Sequence, residues 1–575
     1  MLLRSCCLCV VLALALGLAR AAALPSTVAM PSLSTPPISA PAIPAWDGPT
    51  FSPPPAPGVH PRVLISPSDL PAVRARLENT ACGRRVIGGI RGWISGSLFN
   101  DKTLGKTYAA LVAGDGNALQ LAGSDWWRGN ISLALSLEAF DCWLRDDAVR
   151  GKNVAAALVT YNNICGGVYK VNNVPNADFS MGLCYDFAYN FMNDAQRDAV
   201  RAVIAKATAG KKSHGMDMPA YARSYNWMPH GTQLAVFALC IEGETGYDQE
   251  VYRQTVPLMQ DFFTYGIYPS GTPTEGTHYF NYGMSYGAHT LVAMAKRGDY
   301  LFNHPHYRAA KSWYLNSIEP FGYAFSMMCD TPSDNGGLMP NYVVMKWVFP
   351  QDPVVDYVWR NRAHDDYGGI NYRGDLLIAA LFPSDWRGGQ TTESAPQTID
   401  QWGVDAGKPL PAKSVAPLNP AALQQPLSYF CPNRGLLVTR NAWMTDGLEL
   451  NFECRPDVHG PSHAHSDRNN FSLSALGYKW GIDRGFHINE TRHHSCVLID
   501  GKGQGFFGPA GRMVAYLDTP LATVGVGDAS YAYNYRYTFK GRTGSPANKG
   551  AAWEPERVKW EGGRSVMGSG PVKDG

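Results

Sequence analysis

Residues 459–471 read HGPSHAHSDRNNF, which gathers three of the 14 histidines of a 575-residue chain into one short stretch. If this stretch is a β-strand, alternate side chains share a face, so His463 and His465 point the same way. Such a pair suits a metal site or a catalytic site, and a polar strand edge would show the same pattern. The sequence around the stretch has to decide between these interpretations.

Two further candidate ligands follow the histidine stretch. Asp483 lies in GIDRGF, eighteen residues after His465, and His494 lies eleven residues beyond Asp483, each within a β-like segment. Two imidazoles and one carboxylate can hold zinc or manganese and leave a coordination position open. Unrelated surface or core groups can show the same spacing, so the spacing alone does not establish a metal site.

The pattern of the chain changes ahead of this stretch. From about residue 65 to residue 400, apolar residues recur at helical spacing behind capping residues, as in NDAQRDAVRAVIAKATAG (193–210). After the Pro-rich run GKPLPAKSVAPLNP (407–420), short β-rich runs alternate with Gly, Asn and Asp, as in RGLLVTRNAW (434–443). We therefore predict a multidomain α+β protein, with an incomplete toroid of paired helices over residues 59–405 and an antiparallel β-sandwich over 406–575.

The first residues, MLLRSCCLCVVLALALGLARAAALP, combine an early Arg, an apolar run and small residues in an Ala-x-Ala-like pattern. This pattern is typical of a cleavable secretory signal, which we assign to residues 1–23; a retained signal anchor is the alternative. Residues 24–58 are rich in Pro, Ser and Thr and predict an extended linker. No later stretch reaches the ~20 apolar residues of a membrane span, so we expect a secreted, extracellular protein, or a periplasmic one in a bacterium.

Composition excludes some partners. The formal net charge is only +2, so no overall field attracts a polyanion, and we expect no nucleic acid partner. The Cys residues that follow the signal lack the paired C-x-x-C spacing of a zinc ribbon, and their odd number implies at least one free or intermolecular thiol. An acidic ligand has to be bound by local charges.

A second group of candidate residues lies in the helical part. The stretch SYNWMPHGTQ (224–233) contains Asn226, Trp227 and His230, and SGTPTEGTHYFNYGMSY (270–286) contains Glu275, His278, Tyr279 and Tyr282. The two tyrosines are three residues apart and can share one face of a helix. Tyrosine at a helix start is also an ordinary rim aromatic with its hydroxyl in water, so the tyrosines alone do not establish catalysis.

The order of these motifs resembles the heparinase II/III-like polysaccharide lyases and the related dermatan sulfate epimerases. The resemblance spans roughly residues 59–510, and its most specific motifs are EGxxYxxY at 275–282 and HxHxDxxxF at 463–471. It implies an (α/α) toroid followed by an antiparallel β-sandwich, with the active site in the cleft between them. The implied activity is β-elimination on a uronic acid-containing polysaccharide such as a glycosaminoglycan or alginate.

The resemblance also implies catalytic roles for matching residues. The motif tyrosine falls on Tyr282, with Tyr279 as the adjacent contender, and the first histidine of H-x-H falls on His463 as a proton-transfer group. Many relatives have a catalytic His directly after the Asn of the first motif, whereas this chain has Trp227 there and His230 one turn later. We therefore weigh two roles for His230, acid/base catalysis and substrate binding.

Metal and substrate contacts follow in the same way. The implied metal ligands are His465, Asp483 and His494, and the implied cofactor is a divalent metal, first zinc, with manganese or calcium as alternatives. Asn226 matches the Asn that contacts the uronate carboxylate. The remaining expected substrate contacts are the flat faces of Trp127 and Trp227, the charge of Arg128, and Glu275.

Three functions are compatible with this residue set. A secreted polysaccharide lyase and a uronyl C5-epimerase would abstract the same proton, and the sequence separates them poorly. A non-catalytic carbohydrate-binding relative is the third possibility, favoured by Trp227 in place of His. The retained tyrosines and histidines favour an enzyme, and we take the lyase as the leading hypothesis, acting on an acidic polysaccharide.

Overall fold

The computed structural model describes residues 38–100, 104–121, 125–171, 174–177, 179–318, 328–329, 340–362, 375–382, 425–443, 447–456, 463, 465–476, 478–481, 483, 491–499, 503–504, 511–533, 537–539 and 553–555. The predicted signal peptide and the start of the predicted linker lie outside these residues. The described part is rich in helix up to residue 382, and an antiparallel sheet follows. This order confirms the α+β prediction, while the toroid closure and the domain boundaries stay predictions.

The helices of the first part lie within the region where apolar residues recur at helical spacing. They are α1 Leu70–Asn79, α2 Ala81–Ile94, α3 Leu104–Val112, α4 Asp125–Arg145, α5 Ala148–Cys165, α6 Phe179–Ala188, α7 Asp194–Thr208, α8 Trp227–Gly231, α9 Gln233–Leu239, α10 Gln249–Gly266, α11 Gly276–Ala295, α12 Pro305–Asn316, α13 Pro340–Val348, α14 Pro353–Arg362 and α15 Asp375–Leu381. A short hairpin of β1 (Val168–Val171) and β2 (Val174–Ala177) precedes α6. Capping follows sequence rules: at α7, Asn193 and Gln196 form a reciprocal capping box.

The chain enters the helical part through a buried ion network. The His60 imidazole lies between two carboxylates, with Nδ1 2.7 Å from Asp186 Oδ1 and Nε2 2.9 Å from Glu244 Oε1. Asp186 also accepts the backbone N–H groups of Arg62 and Val63 at 2.9 and 3.0 Å. Burial lowers the pKa of His60, but the two carboxylates outweigh it and hold this pKa above its ordinary 6.5. The network therefore ties residues 60–63 to α6.

We expect the substitution His60→Gln to lower the free energy of unfolding by about 3–5 kcal/mol at pH 6, because it leaves the buried Asp186 carboxylate without the imidazolium that faces it. Glu244 also loses this partner but keeps Arg201 at 3.4 Å. The pKa of His60 is raised in the folded protein, so its stabilisation is complete below the unfolded value of 6.5 and is lost as the pH rises through the folded value. The difference between wild type and variant should therefore shrink from pH 6 to pH 9 in urea unfolding followed by circular dichroism.

A suitable control for this prediction is His214→Gln. His214 is exposed, and its ring forms a hydrogen bond with the Tyr225 hydroxyl at 2.9 Å. Partial desolvation lowers the pKa of His214, so its loss should not reproduce a stability difference that fades at alkaline pH. A destabilisation by His60→Gln that grows from pH 6 to pH 9 would contradict the role given to the imidazolium.

Part of the predicted linker packs against the helices. The Trp46 ring stacks on Tyr300 with centroids 5.1 Å apart, and Phe51 is buried beside Phe302 and Trp347. The ordered core therefore begins before His60, earlier than the composition predicts. The two aromatic side chains explain the difference, since each buries a large apolar area that a Pro-rich composition average does not register.

The second part contains a five-stranded antiparallel sheet. Its strands lie in the order β3 Ser428–Cys431, β4 Leu436–Arg440, β5 Glu449–Glu453, β6 Asn470–Ala475 and β7 Tyr478–Gly481. Each strand pairs with the next one in the chain, so the sheet is a simple meander. This order needs no crossover, because neighbouring strands are antiparallel. The connection from β5 to β6 is the longest of the four and contains most of the histidine stretch.

A hairpin covers one face of this sheet. Strands β8 (Arg512–Asp518) and β9 (Thr523–Asp528) pair with each other, and Phe430 of β3 stacks on Tyr516 of β8 with ring centroids 4.1 Å apart. A Cβ at Gly525 would lie 3.0 Å from Leu437 Cδ2, so the hairpin approaches the sheet closely. The layered arrangement is consistent with the predicted sandwich. Helix α16 (Ser530–Tyr533) and the pair β10 (Tyr537–Phe539) and β11 (Trp553–Pro555) complete the described elements.

The sheet holds the loop that leads into α11. The Tyr429 hydroxyl donates to the Ser270 carbonyl at 3.0 Å and lies 2.6 Å from the Thr272 hydroxyl. Arg434 Nη1 donates to the Thr274 carbonyl at 2.5 Å. These contacts fix the start of α11, the helix that carries the tyrosine motif, relative to the sheet.

The described residues also bear on membrane spans and on the state of the cysteines. Within them, no helix is both long and apolar enough to cross a membrane. The eight cysteines whose side chains are described are in the thiol form, and six of these are buried. Buried thiols act as small apolar side chains in the core.

Candidate active site

Helices α8 and α11 carry the first two motifs and pack in direct contact. A Cβ at Gly283 would lie 2.7 Å from the Asn226 carbonyl oxygen and 2.9 Å from Pro229 Cγ, so only glycine permits this approach. The close packing sets Asn226, Trp227 and His230 beside the tyrosines of α11. Two motifs about fifty residues apart in sequence thus form one surface.

A buried carboxylate orients the candidate uronate contact. Glu275 Oε2 accepts the backbone N–H of Asn226 and its side-chain Nδ2, both at 2.6 Å, and both residues are almost fully buried. Burial raises the pKa of the neighbouring Tyr225, and the charge of Glu275 adds to this effect. An amide nitrogen has two N–H donors, so Asn226 can bind Glu275 and a ligand carboxylate together. Glu275 therefore has a geometry that suits orienting Asn226.

Aromatic side chains form a stripe along one face of α11. Tyr279, Tyr282 and Tyr286 follow at helical spacing, with ring centroids 6.2 and 5.7 Å apart. The His230 ring lies 4.3 Å from Tyr286 and 6.3 Å from Tyr282, while Trp227 contacts His230 edge-on at 4.7 Å. The prediction that Tyr279 and Tyr282 share a face is confirmed. Tyr279 and Tyr282 are partly exposed and Tyr286 is buried, so the stripe runs inward from the surface.

His463 reaches this stripe from the sheet side. Its imidazole stacks on the Tyr279 ring with centroids 3.3 Å apart and planes 10° apart. The histidine motif and the tyrosine motif, separated by almost two hundred residues, therefore meet at one point. His463 therefore contacts the stripe at Tyr279, and His230 contacts it at Tyr282 and Tyr286.

Within the described residues, His463 and His465 do not lie in the β-strand that their alternation indicates. His463 lies in a turn, His465 lies in irregular backbone, and β6 begins only at Asn470. Asn469 has a left-handed φ of 59°, which interrupts an extended run directly before the strand. The His465 carbonyl accepts from Arg455 Nη2 at 2.7 Å and Arg468 Nη1 at 2.8 Å, so side chains take the place of a strand ladder.

The second histidine of the motif belongs to a buried cluster of possible metal ligands. One ligand atom each from His465, Asp467 and His494 lies within 4.8 Å of the other two, and all three residues are buried. The rings of His465 and His494 lie 5.1 Å apart. Asp467 was not among the predicted ligands, although it is the acid of the HxHxD motif.

The predicted ligand Asp483 lies next to this cluster. Its Oδ1 is 3.1 Å from His494 Nδ1, and its Oδ2 accepts from Asn470 Nδ2 at 2.6 Å. The His494 ring therefore contacts Asp483 through one nitrogen. This geometry suits a carboxylate that shares a metal with His494 and equally one that orients the ring from behind.

Buried arginines balance the charge of the cluster. Arg455 Nη2 donates to Asp467 Oδ1 at 2.8 Å, and Arg468 lies 3.7 Å from the same oxygen. Burial acts to raise the pKa of Asp467, but Arg455, the two histidines and Arg468 outweigh it and hold this pKa well below its usual range. Asp467 is therefore ionised at neutral pH, as a metal ligand has to be.

The donor set fits a divalent transition metal. Tetrahedral zinc with ligands ~2.0–2.2 Å away holds its ligand atoms roughly 3.3–3.6 Å apart, so small side-chain movements would bring the cluster to that spacing. Imidazole nitrogens suit zinc and manganese better than calcium, which takes oxygen ligands. The donor set is therefore of the kind that zinc or manganese takes, and the identity of the metal stays a prediction.

We expect Asp483→Asn to raise the dissociation constant for zinc by about 10–100-fold. The amide cannot supply the charged oxygen that now faces His494, whether that oxygen binds the metal or orients the ring. Competition with a chromophoric chelator measures this constant on the full chain. Asp528→Asn is the matched control, since Asp528 is a surface carboxylate of β9 bonded to Ser530 and Arg512. Equal zinc affinity in wild type and Asp483→Asn would contradict the prediction.

Some predicted contacts lie outside the described side chains. Trp127 and Arg128 fall in the first turn of α4, and only the backbone is described there. Their proposed contact with substrate stays a prediction. Sequence reasoning missed Tyr286, although its position one turn beyond Tyr282 could have indicated it, and missed Arg455, whose role depends on a fold that no local pattern encodes.

Comparison with known proteins gives structural matches only. The chain matches no family model and no curated protein. It is similar to heparan sulfate lyase HepC from Pedobacter heparinus, with 13% identity, a TM-score of 0.36 and 75% of this chain covered. It is also similar to a heparinase III gene product, with 12% identity, a TM-score of 0.41, 79% of this chain and 67% of that chain. The chain spans 59% of HepC. These two structures are named as a heparan sulfate lyase and a heparinase III.

Proposed function

We propose that this chain is a polysaccharide lyase that cleaves a uronic acid-containing polymer by β-elimination. One observation carries the proposal: His463 from the sheet side stacks on Tyr279 of α11, beside Tyr282 and His230. Proton-transfer groups of two kinds thus border one surface. A site of this kind can remove a proton and return one to a leaving group without a hydrolytic water.

The reaction places three demands on the site. The C5–H bond breaks and its electron pair becomes delocalised into the uronate carboxyl group; the C4–O bond then breaks as a C4=C5 double bond forms, and a proton goes to the leaving oxygen. The intermediate has additional negative charge next to a carboxylate, so fixed donors have to face that carboxylate. Preorganised donors aimed at developing charge are commonly the largest catalytic contribution.

The chain has a residue suited to each demand. Asn226, oriented by Glu275, is suited to bind the uronate carboxylate. His463 is suited to accept the C5 proton, because a neutral imidazole has one ring nitrogen that accepts a proton. Tyr282 is suited to donate a proton to the leaving oxygen, with Tyr279 as the contender for that role. His230 faces Tyr282 and Tyr286, which suits either a second acid/base or a substrate contact.

The metal ligands support this arrangement from the side. A bound divalent ion would supply positive charge and a rigid link among His465, His494 and an acidic residue. His465 is two positions after His463, so a fixed His465 limits where the His463 imidazole can lie. Proton transfer itself belongs to the chain's own side chains.

The proposed setting of the activity is outside the cell. The first 23 residues have the pattern of a secretory signal, which supports export of the enzyme to its polymer substrate. Sequencing the N-terminus of the protein purified from culture medium tests this part. A chain that begins at Met1 and stays inside the cell would contradict it.

The reaction class is tested by ultraviolet absorbance during incubation with separate uronate polymers. Suitable polymers are alginate, heparan sulfate, chondroitin sulfate, dermatan sulfate, hyaluronan and polygalacturonate. Only β-elimination makes an unsaturated uronate, so a rise on one polymer identifies both the reaction and the substrate. A flat trace on all of them, combined with deuterium exchange at C5, would instead identify an epimerase. Neither absorbance change nor exchange would contradict both enzymatic functions.

A further inference from the structure

A chain of buried charges lies beneath the site. Arg434, Glu453 and Arg455 are each at least 90% shielded from solvent. One oxygen of Glu453, Oε1, lies 3.0 Å from Arg434 Nη2 and 2.8 Å from Arg455 Nε. A single carboxylate oxygen therefore joins two guanidinium groups. We call Arg434, Glu453 and Arg455 the arginine bridge.

The two ends of the arginine bridge reach the two motifs of the site. At one end, Arg455 Nη2 donates to the His465 carbonyl at 2.7 Å and to Asp467 Oδ1 at 2.8 Å. At the other end, Arg434 Nη1 donates to the Thr274 carbonyl at 2.5 Å, one residue before Glu275. We call the segment before β6 that contains His463, His465 and Asp467 the histidine loop. The arginine bridge thus connects the histidine loop to the residues that begin α11.

The charges of the arginine bridge are paired within the protein. Two guanidinium cations face two carboxylates, those of Glu453 and Asp467. The Cys329 thiol lies between the arginines, 3.1 Å from Arg434 Nη2 and 3.5 Å from Arg455 Nη1. Burial raises the pKa of Cys329 to about 12 against the opposing effect of both arginines, so the thiol adds no charge at neutral pH.

Buried ion pairs are poor sources of stability, because well-packed apolar side chains avoid the cost of desolvating the charges. A protein can nevertheless retain such pairs because they select one conformation of the chain. Here the selected conformation is that of the histidine loop. The loop has no strand ladder to hold it. Arg455 supplies fixed donors to its backbone and to Asp467 in their place.

We propose that Arg455 is a positioning residue that sets the geometry of the metal ligands and of His463 against Tyr279. This inference deepens the proposed function and rests on it for its catalytic part. Arg455 contacts His465 and Asp467 directly, and Arg434 links the same unit to the start of α11. The role requires a planar group that donates in several directions, which lysine cannot replace even though it retains the charge.

The variant Arg455→Lys tests the proposal on the full chain with two readouts. Zinc affinity, measured by competition with a chromophoric chelator, should fall about 10–100-fold, the usual effect of losing a partner behind a metal ligand. On the polymer that wild type cleaves, kcat should fall about 100-fold with little change in KM, because the reacting groups are displaced while the binding surface remains. Circular dichroism and thermal unfolding identify the folded variants.

Arg440→Lys is the matched control. Arg440 is also buried, pairs with Glu449 at 2.8 Å, and links the sheet to the helical part through the Asn316 carbonyl at 2.9 Å. Its side-chain contacts among the described residues are with Glu449, Asn316 and Trp443 and do not include the histidine loop, so Arg440→Lys should leave both zinc affinity and kcat close to wild type. If Arg455→Lys does not fold, Glu453→Gln provides the second variant, since it retains the shape of the bridge and removes its central charge.

The outcomes separate this inference from the proposed function. A folded Arg455→Lys with wild-type zinc affinity and wild-type kcat overturns the positioning role, as does an equal loss in Arg440→Lys. If wild type binds zinc but cleaves no polymer, the proposed function fails and zinc affinity alone decides the role of Arg455. If wild type cleaves a polymer but does not bind zinc, the separate effects of Arg455→Lys on kcat and on KM decide whether Arg455 has the positioning role. A wild type with neither property overturns both.

Discussion

The substitution Tyr282→Phe is expected to lower kcat by about 10²–10⁴-fold, the usual contribution of one positioned proton transfer. Phenylalanine retains the ring that contacts Tyr279, Tyr286 and His230 and removes only the hydroxyl. Substrate should therefore still bind, and KM should change little. Initial rates of unsaturated uronate formation over a range of substrate concentrations measure both constants.

Two further variants complete the Tyr282 experiment. Tyr221→Phe removes a hydroxyl from a tyrosine that is 63% exposed outside the site, and it should behave as wild type. Tyr279→Phe tests the contender of the same motif. A large loss in Tyr279→Phe with normal turnover in Tyr282→Phe would transfer the proton-donor role to Tyr279.

A second large effect is expected for His463→Gln. Glutamine can still form hydrogen bonds but cannot take up a proton near neutral pH, so kcat should again fall by about 10²–10⁴-fold. The acidic limb of the pH profile of kcat/KM should disappear with the base. Turnover measured across pH 5 to 9 in the wild type and the variant gives this comparison.

His230→Gln is the comparison for the second histidine. If His230 only contacts the substrate, its replacement should raise KM and leave the shape of the pH profile unchanged. If the acidic limb instead disappears in His230→Gln and persists in His463→Gln, the base is His230. In that case His230 would supply, one helical turn later, the catalytic histidine that many of the lyases this chain resembles have at the position of Trp227.

The sequence was a good guide to features with a local cause. Helical spacing and capping residues predict the helices up to residue 382, and short alternating runs predict the strands after residue 427, because both depend on neighbouring residues. The shared face of Tyr279 and Tyr282 follows from a spacing of three. The Asn226 and Glu275 side chains were both selected as substrate contacts, but their mutual hydrogen bond joins distant residues and no local pattern predicts it.

The sequence was a poor guide where distant side chains override a local pattern. The alternation of His463 and His465 predicts a strand, yet Arg455 and Arg468 bond the His465 carbonyl and hold a loop instead. Asp467 reads as an ordinary polar residue of the motif until the fold brings it beside His494. The ordered core before His60 was missed for a similar reason, since Phe51 is buried against helices that lie far along the chain.

The contacts of the sheet with the loop before α11 limit how freely the two parts of this protein can be exchanged. Ser270, Thr272 and Thr274 are bonded by Tyr429 and Arg434, so the tyrosine helix is aligned by residues of the other part. A chimera that combines the helical part of this chain with the sheet of a similar protein would keep both hydrophobic cores and lose this alignment. An exchange of domains in this architecture therefore has to transfer the loop at residues 270–274 together with Tyr429 and Arg434.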